Sequence, residues 1–298
     1  MKKVENKKNY NRSFALLSSL LPLLSFLLFS CSSAPRPVPD IYTIRNMAVQ
    51  QLNVANQTAS RGLFEDALII VEDARNLAIS ADDPSLRIQT TISRGNILFA
   101  MGREAPAFQD WETAAAEADA SGESVLAAQA RINIIRASLI LLSNDETAEA
   151  GSAAEHRASL ERLLPAVRQD PNANALWNLT LGLAERQLGS WTEAESSVRR
   201  ALDIYERNSN LEDAAYAWFV IASIRSLAGN YNAALEALTT SINIDRRVEN
   251  GYGLASSWQA MGDVYQKAGR TEEARAAWHR ASEIYEAIGL GDRAMGEE

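Results

Sequence analysis

The stretch Trp258-Gln-Ala-Met261-Gly262-Asp-Val-Tyr265-Gln-Lys-Ala-Gly269-Arg-Thr-Glu-Glu-Ala274-Arg-Ala-Ala-Trp278-His-Arg-Ala281 decides the fold. Trp258, Met261 and Tyr265 recur at steps of three and four, the spacing of one helix face. Small residues stand at Gly262, Ala274 and Ala281, where two helix backbones can approach. Gly269 lies between the halves, where a left-handed residue ends a helix at least cost. The stretch reads as a helix, a tight turn and a second antiparallel helix. One such pair cannot bury its own apolar face, so copies are expected upstream.

The copies are Gly229-Asn-Tyr231-Asn-Ala-Ala234, Gly189-Ser-Trp191-Thr-Glu-Ala194, Gly102-Arg-Glu-Ala-Pro-Ala107 and Gly62-Leu-Phe64-Glu-Asp-Ala67. Gly269, Gly229 and Gly189 are 40 residues apart, as are Gly102 and Gly62. The remaining step of 87 residues holds one more, degenerate copy and about seven inserted residues. Six repeats follow. The eight residues Trp258, Met261, Gly262, Tyr265, Gly269, Ala274, Trp278 and Ala281 resemble the tetratricopeptide (TPR) repeat, with helices about a turn longer than in the 34-residue unit. The resemblance covers roughly residues 45 to 290 and implies an all-α, right-handed α-solenoid of about six helix pairs.

Within it, Asp83-Pro84 and Asp170-Pro171 read as an N-cap followed by proline at the first helical position. The first helix of repeat one is expected over residues 41–61. Ser190-Trp-Thr-Glu193 has the form of a capping box. Ser143 to Gly151 reads as a polar surface insertion, after which Ser159, Leu163 and Ala166 resume the second-helix pattern. Residues 291–298, and the stretch from Gly289 onward, read as a polar, flexible tail.

The N-terminus carries a different signal. Lys2, Lys3, Lys7, Lys8 and Arg12 precede an apolar run, Phe14 to Phe29, which reads as a secretory signal over residues 1–30. It ends in Leu28-Phe29-Ser30-Cys31, which resembles a bacterial lipoprotein signal and makes Cys31, the only cysteine, the lipidation site. The alternative is an uncleaved anchor with an incidental cysteine. Ser32 resembles a release signal toward the outer membrane. Residues 31–40 hold Pro35, Pro37 and Pro39, a tether that at about 3.1 Å per residue spans roughly 25 Å. The solenoid then occupies residues 41–290.

Charge and chemistry exclude much. Five bases against one acid give residues 1–30 a charge of +4, so the rest carries −9 − 4 = −13. An acidic body without a basic stripe argues against nucleic acid. A single cysteine allows no internal disulfide or zinc site. His156 and His279 stand apart, and no nucleophile, acid–base pair or phosphate loop can be assembled, so neither enzyme nor cofactor is expected. Trp111, Trp191, Trp218, Trp258 and Trp278 fall on packing slots rather than on a sugar-stacking surface.

Function is therefore expected on the concave face, which in TPR folds is lined by each first helix. The resemblance places Asn53, Asn56, Ser93, Asn96, Asn133 and Arg136 there. Asparagines at such sites resemble amide clamps for an extended peptide, since each offers donor and acceptor to a peptide unit. In repeats four and five, Leu179, Leu183, Tyr216 and Phe219 would form an apolar patch beside Arg186. The expectation is a lipid-anchored scaffold or adaptor that binds a protein or peptide in the bacterial envelope. The alternative is an accessory subunit of a transporter or secretion system taking a small hydrophobic ligand on that patch.

Overall fold

The computed structural model describes residues 43–143 and 150–293. The expectations for the signal, Cys31, the tether, the core of the insertion and residues 294–298 lie outside them. The described chain is all helical, with twelve α-helices in six antiparallel pairs. These are α1 (Ile44–Ser60) with α2 (Phe64–Ser80), α3 (Pro84–Ala100) with α4 (Glu104–Ser121), and α5 (Ser124–Ser143) with α6 (Ala150–Val167). Then come α7 (Pro171–Gln187) with α8 (Trp191–Arg207), α9 (Leu211–Leu227) with α10 (Tyr231–Val248), and α11 (Gly251–Lys267) with α12 (Thr271–Ala287). Helix α1 begins at Ile44 because Thr43 is its cap, accepting from the Asn46 amide at 3.2 Å.

Most helices are 17 residues long and most turns three, which accounts for the 40-residue period. Asp83 and Asp170 cap as expected, accepting from the Leu86 and Ala173 amides at 2.9 and 2.8 Å. Ser190 does not: its side chain caps nothing, and the turn is closed instead by its backbone amide donating to the Glu185 carbonyl at 3.0 Å. The five turn glycines all hold positive φ, between 72° and 87°. A second left-handed series separates the repeats, at Asp82, Gly122, Ser209, Glu249 and Gly289. It also steps by 40 outside the third repeat, yet only two of its members are glycine.

Helices cross closely where one side chain is missing. A Cβ on Gly262 would lie 2.4 Å from the Trp278 ring, and one on Gly95 would lie 2.6 Å from Trp111. Trp111 is fully buried and donates to the Ile92 carbonyl at 3.2 Å. Trp177 is buried too, whereas Trp191, Trp218, Trp258 and Trp278 are half-buried against the core. The packing role expected of the tryptophans holds, and the guanidinium groups of Arg246 and Arg280 both lie over the Trp258 ring.

The third repeat departs from the others. Ile135 stands where the neighbouring repeats have Gly95 and Gly182, and α5 and α6 pack less extensively than any other pair. Helix α5 lies along α7 instead, more closely than any other two first helices, and Gln187 donates to the Leu139 carbonyl at 3.1 Å. The expected face of α6 is corrected accordingly. It buries Ala153, Leu160 and Val167, while Ser159, Leu163 and Ala166 are only partly covered. Helix α5 is long and apolar enough to cross a membrane, but half of it is buried in this core.

The last repeat folds back onto the first. Tyr252 of α11 meets Phe64 edge-on at 5.3 Å, and Ile288 fills the space over Gly62. Residues 289–293 do not trail away. Gly291–Arg293 form a 3-10 turn, Leu290 packs on the repeat-one core, and Arg293 donates to the Tyr252 hydroxyl at 2.8 Å and the Ala100 carbonyl at 2.6 Å. Arg61 and Glu249 add an exposed ion pair at 2.9 Å.

Candidate functional site

The inner residues divide into an open group and a sealed group. Asn53 and Asn56 on α1 are exposed, one turn apart on the face toward the interior. Asn56 also accepts a short hydrogen bond from Ser93, which is itself buried on α3. Asn96 is half-buried, and its side-chain carbonyl is enclosed without a hydrogen-bond partner. Asn133 is 2% exposed, so its amide is sealed where those of α1 are open.

Leu179 and Leu183 are core, each 1% exposed, rather than an apolar patch open to a ligand. The cause is the shift of the third repeat, since α5 drawn against α7 helps to cover this face. Tyr216 and Phe219 on α9 remain half-exposed and stack on each other with centroids 6.0 Å apart. Arg186 is 9% exposed and Arg136 half-buried.

A pocket of about 620 Å³ joins the open group to the start of α9. Asn53, Asn56 and Ser60 line it from α1, with Asn210, Glu212 and Asp213 opposite. Ser60 spans it, donating to Glu212 at 3.2 Å. Asp213 reaches solvent yet is enclosed by protein, and this desolvation raises its carboxyl while Arg136 opposes the rise. Glu212 is raised by the same cause, reinforced by Asp213 and opposed by Ser60 and Arg61. Burial also raises Tyr216, against the pull of Arg136 and Arg186. The pocket thus combines amides with two carboxylates that hold their protons more tightly than in water. It suits a peptide backbone and a hydrogen-bonding or basic side chain.

Sequence reasoning missed Ser60, Asn210, Glu212 and Asp213. Nothing local marks them, since they meet Asn53 and Asn56 only because the solenoid curves round. A second pocket, of about 520 Å³, lies between α8 and α9. Its Glu195 is met internally: Arg225 and Arg199 both bind it, at 2.8 and 2.7 Å, and hold its carboxyl below the usual range. His279 lies 3.5 Å from Glu283 on an exposed face, and no cluster suited to a metal occurs among the described residues.

Family models of the tetratricopeptide repeat match residues 172–247 and 255–287. No curated protein matches the chain. Among solved structures, the Rap conjugation gene regulator of the plasmid pLS20, in complex with the Phr* peptide, is similar with a TM-score of 0.63. Its identity is 16%, covering 88% of this chain and 68% of that one. A Rap protein complexed with competence and sporulation factor gives 0.56 at 15% identity, over 84% and 69%. At such identities the likeness is one of fold. The chain is thus an all-α solenoid of six helix pairs carrying tetratricopeptide repeats, matched as such over residues 172–247 and 255–287.

Proposed function

We propose that this chain is a membrane-anchored adaptor of the bacterial cell envelope that holds a protein or peptide partner inside the solenoid. The observation carrying this reading is the amide-lined pocket between α1 and the start of α9, accessible where the interior of repeats three and four is sealed. Asn53, Asn56 and Asn210 each match the donor and acceptor of a peptide unit. Two proteins of similar fold have been solved in complex with the Phr* peptide and with competence and sporulation factor, which favours this class of partner over others. Leu179 and Leu183 belong to the core, which leaves only Tyr216 and Phe219 of the apolar patch for a small hydrophobic ligand.

Anchoring rests on the sequence around Cys31. Lipid on Cys31 would hold the body near the membrane through the proline tether, on the periplasmic or outer face. Cys31→Ala should release the body or leave an uncleaved precursor, and equal incorporation of labelled fatty acid by that variant would end the lipoprotein reading. The binding site is tested by a photo-crosslinking residue placed at Asn56 in intact envelopes, with Ile69, 64% exposed on α2, as the control. A partner captured from position 56 and not from 69 supports the inner site. Equal capture from both, or capture from 69 alone, removes it.

A further inference from the structure

The two ends of the helix series are finished differently. Helix α12, at the far end, presents charge: Glu272 pairs with Arg275 at 2.9 Å and Glu283 faces His279 at 3.5 Å, all four well exposed. A terminal repeat that water covers needs such a polar outer surface. Repeat one is apolar instead. Seven large apolar side chains stand exposed among the described residues, and six of them, Ile44, Met47, Val54, Leu63, Ile69 and Ile79, belong to this repeat. A single exposed apolar residue needs no explanation, but a group confined to one end of the fold does.

Three of them make a stripe on α1. Ile44, Met47 and Val54 follow at steps of three and seven, each between 44% and 47% exposed. Ala48, Leu52 and Ala55 take a different face of the helix and are buried. The fold-back of the last repeat covers the turn end, where Ile288 meets Gly62 and Tyr252 meets Phe64, and leaves the stripe bare. Helix α1 also carries no acid: Arg45 is its one charged residue, in a body with a charge of −13. Asn53 and Asn56 stand on the other side of α1, so the stripe and the amide-lined pocket do not compete for one surface.

We propose that the α1 face bearing Ile44, Met47 and Val54 rests in the headgroup layer of the membrane that holds the chain. This builds on the anchoring reading above and adds how the body is oriented on its anchor. Only residues 32–43 separate Cys31 from Ile44, and that length reaches at most about 40 Å, so α1 is the helix that the tether delivers to the lipid. A helix with an apolar side sinks that side about 5–10 Å into the interface. The contact is apolar rather than electrostatic, since anionic lipid repels the acid elsewhere in the body. Lying this way, α1 turns Asn53 and Asn56 from the lipid and leaves their pocket open to a partner.

The test reads a spin label on single introduced cysteines, Met47→Cys, Gln51→Cys, Val54→Cys and Glu272→Cys. The lipidated chain is placed in phosphatidylethanolamine–phosphatidylglycerol vesicles. Lipid on Cys31 occupies its sulfur, so only the introduced thiol takes the label. Relaxation by an aqueous nickel chelate should be about fivefold or more weaker at 47, 51 and 54 than at 272, and relaxation by oxygen, which concentrates in lipid, should be stronger. Met47→Glu with Val54→Glu should raise the nickel effect at position 51 to that at 272, while the chain still sediments with the vesicles. Both residues are exposed, so the melting temperature should hold. Equal nickel effects at all four positions without those two substitutions, with lipid on Cys31 confirmed by intact mass, overturn this proposal and leave anchoring standing. Shielding from both reagents, with dipolar broadening between labels, assigns the stripe to a second copy of the chain and likewise overturns it. An intact mass without lipid on Cys31 overturns both readings.

Discussion

Repeats three and six are built from the same helix pair and differ most at one position. In repeat six, Gly262 lets the Trp278 ring lie against the α11 backbone, and α12 packs along α11 over its whole length. In repeat three, Ile135 occupies that position, α6 stands off, and α5 takes α7 as its neighbour. The packing of the first helix thus differs with the residue at the crossing, Gly262 in one repeat and Ile135 in the other. The consequence reaches the interior: with α5 drawn across, Leu179 and Leu183 are sealed, and access remains beside α1.

The regular repeats also differ at one buried position of their second helices, and there the largest effect is expected. Where repeats four and six bury Tyr205 and Tyr285, repeat five buries Asp245, 2% exposed. It accepts from Asn250 at 2.7 Å, and desolvation raises its pKa from 3.8 to about 7. Between those pH values the folded state holds a proton that the unfolded state has lost. Stability is therefore full below the unfolded pKa and falls as pH rises through the folded one. A shift of this size corresponds to about 4 kcal/mol. Denaturant titrations at pH 4 and pH 7 should show the loss in wild type and a much flatter response in Asp245→Asn. An unchanged slope would mean the carboxyl is charged in the fold. The lowered carboxyls Asp83 and Glu195 act in the opposite sense and at lower pH, so the difference between variants isolates Asp245.

Gly262→Leu should cost about 3 kcal/mol by overfilling the crossing. Hydrogen exchange should then rise in repeats five and six and also around Phe64 in repeat one, because Tyr252 carries the disturbance across the seam. Exchange that rises in repeat six alone would show an open solenoid in solution. Leu183→Ala should cost a similar amount, about 3 kcal/mol, as for a core residue. A cost near zero would return Leu183 to the accessible face.

Ile135→Ala bears directly on the contrast between repeats. It should cost about 2 kcal/mol, at the low end for such truncations, because α6 can close partly onto the smaller side chain. Spin labels on the outer faces of α5 and α6 should move closer. An unchanged distance would mean that the insertion, rather than Ile135, holds α6 away. Asn53→Ala, on the open face, should change stability by less than about 0.5 kcal/mol while weakening partner binding. Loss of fold instead of binding would make that face structural.

The sequence by itself determined the unit and its period. Gly62, Gly102, Gly189, Gly229 and Gly269 fall at positions that demand positive φ, and helical spacing around them leaves little choice of local structure. These are short-range constraints, satisfied inside one repeat. The face of α6 is not legible locally, because Ser159, Leu163 and Ala166 follow the repeat pattern while their burial depends on how far α6 stands from α5. Of the inner residues, Asn53 and Asn56 were placed on an open surface and Leu179, Leu183 and Asn133 were not, although all occupy first helices. Only the tertiary structure decided that, and also that Tyr252 meets Phe64 and that Glu212 faces Ser60. Such contacts follow from small rotations summed over several repeats, so they depend on every interface between them and on no single stretch of chain.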